Sequence, residues 1–122
     1  MTDHSHDHGR GLLQQLGAEG RELRALIPDV YSGFGELHKA AFADGSVDKK
    51  TKELIALAIA ISLKCDGCIA SHARGAALAN ATEQEVAETI GVAISMNGGP
   101  GTVYGPRALA AFRDFVRPSE KS

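Results

Sequence analysis

The chain has 122 residues, 43% of them hydrophobic and 23% charged, a length and composition that suit one compact domain around one core. Its formal net charge of −2 supplies no basic field for nucleic acid or an anionic membrane surface. Its longest apolar run, Leu54 to Ile61, is far shorter than the roughly 20 residues of a membrane span, so a soluble protein with neither partner is expected.

Residues 1–10 are polar and lack the apolar centre of a secretory signal, which makes the cytoplasm the expected location. They form a His-rich tail that alternates His with Ser and Asp, and such a composition buries too little apolar surface to order itself. His4, His6 and His8 read as a solvated tail and not as a metal site. Residues 11–118 are expected to be one all-helical domain of about six helices, with 119–122 a C-terminal tail.

Leu12, Leu13, Leu16, Leu23, Leu26 and Ile27 recur at helical spacings and predict one or two helical pieces, with Gly17 and Gly20 weakening the middle. Pro28 suits the first turn of the next helix, on which Val30, Tyr31, Phe34, Leu37, Ala41 and Phe42 form a second apolar stripe. That helix should end at Ala43-Asp44-Gly45, with Gly45 as a left-handed cap. His38 lies on it and reads as a partly buried or surface histidine.

Ser46 and Asp48 are both candidate N-caps for a third helix that runs from about Asp48 to Leu63. Its segment Leu54 to Ile61 is apolar on every side, and a chain this small struggles to bury such a helix alone. A subunit interface is therefore expected there, one that would also shield Glu53 from bulk water. A fourth helix, rich in Ala and Gly, should reach about Asn80. Thr82-Glu83-Gln84-Glu85 is a capping box that opens a fifth helix, with Val86, Ile90, Ala93 and Ile94 on its inner face. Asn97-Gly98-Gly99-Pro100-Gly101 ends it, and a last helix carries Val103, Leu109, Phe112 and Phe115 toward Pro118. No stretch alternates as a strand would, so the fold class is all-α.

Between the third and fourth helices lies Lys64-Cys65-Asp66-Gly67-Cys68-Ile69-Ala70-Ser71-His72, which holds both cysteines of the chain. A helix starting near Cys65 stacks Cys65, Cys68 and His72 on one face. A Cys-x-x-Cys pair at a helix start can close a disulfide with little movement, and the exposed N–H groups there favour a thiolate. His72 is the natural base, whereas Asp66 opposes the thiolate by like charge. If the two helices fold back at Lys64, Glu53 sits roughly 16 Å before the turn and His72 roughly 12 Å after it, within one helical turn of the same level. Glu53 could then orient His72 or relay its proton, directly or through a water.

Two other readings of the cysteines stand beside the redox one. Zinc could take Cys65, Cys68 and His72, but a closed structural site needs a fourth ligand, for which only His38, acidic side chains or the tail remain. Alternatively, the pair could be buried and inert. The glycine cluster at Gly98, Gly99 and Gly101 lacks the strand and the Lys of a phosphate loop and reads as a turn.

At Asp48-Lys49-Lys50-Thr51-Lys52-Glu53-Leu54-Ile55-Ala56-Leu57-Ala58 and Cys65-Asp66-Gly67-Cys68, followed by His72, the sequence resembles the alkylhydroperoxidase D-like group of the carboxymuconolactone decarboxylase family. The resemblance runs from about Val47 to Ala111. It implies an all-helical subunit, a homo-oligomer of trimeric or hexameric kind, and a thiol peroxidase or disulfide oxidoreductase with no metal or organic cofactor. It also implies roles: Cys68 attacks the peroxide, Cys65 resolves the product and meets a reductant, and Glu53 and His72 relay protons. That reductant would be a small thiol or a protein, lipoylated or thioredoxin-like. Where the alkylhydroperoxidase D enzymes carry a histidine inside the Cys-x-x-Cys, this chain has Asp66 and Gly67. A redox-sensing or binding module that switches without turnover is the competing class. Lactone decarboxylation is more distant, since that branch generally lacks the cysteine pair.

Overall fold

The computed structural model describes residues 7–118. It contains six helices, α1 (Arg10–Leu26), α2 (Pro28–Phe42), α3 (Lys49–Leu63), α4 (Asp66–Leu78), α5 (Glu83–Asn97) and α6 (Gly99–Val116), and no strand among the described residues. The expected all-α class and helix number hold. Met1 to His6 and the C-terminal tail at 119–122 lie outside the described residues. α1 begins inside the stretch assigned to the tail, because the Arg10 N–H donates to Asp114 Oδ2 at 2.8 Å and its guanidinium caps the Phe115 and Arg117 carbonyls.

Four helices make the core. Leu57, Ala60 and Ile61 of α3, Ile69, Ala73 and Ala76 of α4, Val86, Ile90 and Ala93 of α5, and Ala108, Ala111 and Phe112 of α6 are all buried. Small residues dominate α4 and α6, so the helices approach closely; a Cβ at Gly101 would meet the Ile94 Cα at 2.8 Å. Gly98, at φ 66°, makes the turn between α5 and α6, and α6 starts directly after it. By contrast α1 and α2 bury no residue.

The turns follow local chemistry. Asp48, not Ser46, caps α3 by accepting the Thr51 N–H at 2.8 Å, and the capping box on α5 forms in both directions between Thr82 and Glu85. α3 ends in a Schellman motif: the Lys64 N–H donates to Ile61 O, the Cys65 N–H to Ala60 O, and Lys64 itself sits left-handed at φ 56°. Asn80, at φ 64°, closes α4 in the same way through Ala77 O and Ala76 O. The expectation for Gly45 is corrected. α2 stops at Phe42 with Ala43 extended at φ −64°, and Gly45 is not left-handed, because its N–H donates forward to Val47 O at 3.2 Å instead of back to the helix.

Candidate functional site

The Schellman turn at Lys64 fixes how α3 hands the chain to α4. Cys65 becomes the N-cap residue of α4, and its Sγ accepts the Cys68 N–H at 3.3 Å. That places one sulfur on the positive end of the helix, where a developing thiolate is stabilised. The two cysteines are paired as a disulfide with Cα atoms 5.3 Å apart. Cys68 packs against the core cluster, and α1 lies over the turn, since a Cβ on Gly67 would meet Leu16 Cδ1.

One turn further along α4, His72 meets Glu53 of α3. Nδ1 and Glu53 Oε1 are 2.8 Å apart, with side-chain exposures of 16% and 7%. The contact is direct, without a bridging water. A carboxylate at this position accepts an Nδ1–H, an arrangement that leaves Nε2 as the ring nitrogen free to exchange a proton. Glu53 is the buried acidic residue among those described, and no buried side-chain polar atom there lacks a partner. Glu53 is thus already shielded within one chain, before any subunit interface adds to it. The sequence cue for this is Gly75: a Cβ there would overlap the Glu53 carboxylate, so only glycine leaves room for the acid against α4.

Above the pair, α2 contributes a stack of rings that sequence reasoning missed. His38 lies with its ring centroid 5.8 Å from that of His72 and 4.2 Å from that of Phe42, while Phe42 is 5.4 Å from His72. Phe34, His38 and Phe42 recur every four residues, a spacing that puts three rings on one helix face and was the available signal. A hollow of about 290 Å³ opens beside His72, lined by His38, Lys49, Glu53, Ser71, Arg74 and Gly75 among others. A second, of about 270 Å³, is bordered by His38, Phe42, Lys49 and Glu53. Neither is lined by a cysteine. Glu53 and His38 border both.

Asp66 is also placed differently from its bare sequence reading. Arg107 of α6 donates from Nη1 to both of its carboxylate oxygens, at 3.0 and 3.1 Å, so the charge between the cysteines is paired. No group of three or more His, Cys, Asp or Glu that could hold a metal occurs among the described residues, and the trio of Cys65, Cys68 and His72 considered for zinc is not gathered as one.

The family model described as the carboxymuconolactone decarboxylase family matches residues 28–113, which reach from α2 into α6 and contain the candidate residues Glu53, Cys65, Cys68 and His72. The chain belongs to this family. Among solved structures, the apo form of a carboxymuconolactone decarboxylase family protein from Legionella pneumophila is similar, with a TM-score of 0.85 and 37% identity over 94% of this chain and 100% of that one. Among curated proteins, this family member is 40% identical to an uncharacterised protein of Cupriavidus necator over 81% of this chain and 84% of that protein. It is 43% identical to an uncharacterised protein of the cox locus of Paracoccus denitrificans, over 70% of this chain and 78% of that protein. An uncharacterised protein of Haemophilus influenzae is 38% identical over 87% and 90% respectively.

Proposed function

We propose that this carboxymuconolactone decarboxylase family protein is a dithiol oxidoreductase that reduces hydroperoxides, with Cys65 and Cys68 as the redox pair and Glu53 and His72 as the proton relay. The observation that carries the reading is the continuity of the site: a cysteine pair at the start of α4, and one turn on, His72 bonded to the buried Glu53. In the reduced protein, His72 Nε2 takes the Cys68 thiol proton, and the resulting thiolate attacks the outer peroxide oxygen. The O–O bond breaks, Cys68 becomes a sulfenic acid, and the alkoxide leaves as an alcohol by taking a proton, for which His72 is the donor. The Cys65 thiol then displaces hydroxide from Cys68, giving water and the disulfide. A dithiol reductant restores both thiols and is itself oxidised to a disulfide, and its first attack falls on Cys65. Glu53, itself buried but bordering the two hollows, holds His72 in place and lets its proton exchange with solvent between cycles.

Steady-state consumption of an alkyl hydroperoxide with a dithiol reductant tests this. Turnover in the parent protein that vanishes in Cys65→Ser and in Cys68→Ser is the expected result. One equivalent of peroxide consumed per chain and no more would instead assign a sensor that switches without turnover. Glu53→Gln should keep the hydrogen bond to Nδ1 but lose the relay charge, and a fall of roughly 10²-fold in turnover is expected for a lost acid–base partner.

A further inference from the structure

The aspartate between the two cysteines is the least expected residue for a reactive dithiol. A carboxylate beside a thiol stabilises the thiol against the thiolate, and the thiolate is the form that attacks. Asp66 is the first residue of α4, one position from Cys65 and two from Cys68. Its carboxylate does not face solvent alone. Arg107 Nη1 holds both oxygens, at 3.0 and 3.1 Å, reaching across from α6. Behind it, the guanidinium lies over the Tyr104 ring with Cζ 4.5 Å from the centroid, and Tyr104 packs against the core. A planar cation stacked on an anchored ring loses little freedom when it clamps a carboxylate. The salt bridge is half exposed at both ends, so as a brace between α4 and α6 it is weak. Its position makes it something else.

We infer that Arg107 is a positioning residue that sets the reduction potential of the Cys65–Cys68 pair by neutralising Asp66. The inference rests on the dithiol reading above. Three charges then bear on the sulfurs: the helix N-terminus favours the thiolate, Asp66 opposes it, and Arg107 decides how strongly Asp66 is felt. Removal of Arg107 leaves the carboxylate uncompensated. The reduced form is then destabilised, and the disulfide becomes harder to reduce. Removal of the carboxylate has the opposite sign, and once it is gone Arg107 has little left to cancel.

The test is the equilibrium of the full chain with glutathione at pH 8, in which the protein disulfide and two glutathione thiols give the protein dithiol and one glutathione disulfide. The equilibrium constant is expected to fall several-fold, up to about tenfold or about 30 mV for a two-electron couple, in Arg107→Gln. Asp66→Asn should raise it. Arg107→Lys, which keeps the charge, should stay near the parent value. In the Asp66→Asn background, Arg107→Gln should shift the constant far less than it does alone. Alkylation of the reduced protein by iodoacetamide at fixed pH should slow in Arg107→Gln and be restored by Arg107→Lys. An Arg107→Gln variant with a lower melting temperature but an unchanged equilibrium constant would make Arg107 a mere brace. An equal shift with and without Asp66 would show that Arg107 acts on the sulfurs by itself. Either outcome overturns the inference and leaves the dithiol reading intact. A parent disulfide that glutathione never reduces would sink that reading and the inference with it.

Discussion

Gly75 shows how much of the site rests on a side chain that is not there. Glu53 is buried at 5% exposure only because the wall of α4 opposite it has no Cβ. In Gly75→Ala the acid must turn away or α3 and α4 must separate, at a cost of about 1–3 kcal/mol for overpacking. Turnover should therefore fall by roughly 10²-fold, with helicity retained and the chemical denaturation midpoint lowered. Lys64 gives a second prediction at this scale. It holds a left-handed conformation at φ 56°, which costs a non-glycine residue about 1–2 kcal/mol, while glycine there would lose about 0.4–1 kcal/mol more entropy on folding. Lys64→Gly should thus stabilise the protein by less than about 1 kcal/mol, measured by urea unfolding, and remove one positive charge from beside Cys65. The Cys65–Cys68 pairing and the meeting of Glu53 with His72 were legible in the sequence, because spacing along two helices joined at Lys64 fixes their level on a hairpin. The contacts of His38, Gly75 and Arg107 were not, because they are decided by packing between different helices.

Elements with side-chain caps were the most legible ones. Asp48 and Thr82 each accept an N–H three residues on, at 2.8 and 3.0 Å, and α3 and α5 begin where these residues stand. Thr82→Ala should cost about 1 kcal/mol in urea unfolding. α2 ends where expected, at Ala43, but without the left-handed Gly45 cap, since Ala43 is extended and the Gly45 N–H bonds forward to Val47 O. Acid sensitivity also belongs to this scale. Lys50 beside Glu85 and Arg113 beside Glu83 hold those carboxyls below the ordinary glutamate value of 4.5, and hydrogen bonding to Thr51 holds Asp48 below 3.8. Because the folded values are depressed, their contribution is complete above the unfolded values and is lost as pH falls through the folded ones. The Lys50 ammonium is raised above 10.5 by Glu85, so its share is present below that value and lost as pH rises through the folded one. The melting temperature should decline as pH drops below about 4.5, and less steeply in Glu85→Gln. These groups are exposed, so 1 M salt, at a Debye length of about 3 Å, should flatten most of that decline.

On the scale of the whole molecule, apolar surface is distributed in a way one chain does not explain. The inward half of α3 closes against the core at Leu57, Ala60 and Ile61, while Ile55 and Ile59 remain 49% and 53% exposed. The interface expected at α3 keeps its exposed face, and a larger apolar excess lies on the first two helices. α2 has no buried residue, and its Val30, Phe34 and Leu37 are 63%, 65% and 65% exposed, next to Leu26 at 79%. The stripe that made α2 legible as a helix is therefore turned mostly to solvent in the single chain. Fully burying one such side chain is worth about 1.5–3 kcal/mol, so covering even three of them is large against a domain stability of about 5–15 kcal/mol. α2 also carries His38 and Phe42 onto His72, and whatever holds α2 in place holds the roof of the candidate site. We therefore expect a homo-oligomer in which copies of the chain cover α2 and the outer face of α3. Light scattering at micromolar concentration should give a mass several times the 12.8 kDa of one chain. Val30→Glu together with Leu37→Glu should dissociate it, and should slow turnover even though neither residue lines the hollows beside Glu53. A parent mass near that of one chain, with a cooperative unfolding transition, would mean that α1 and α2 are held by the subunit itself and that their exposed stripe has no partner.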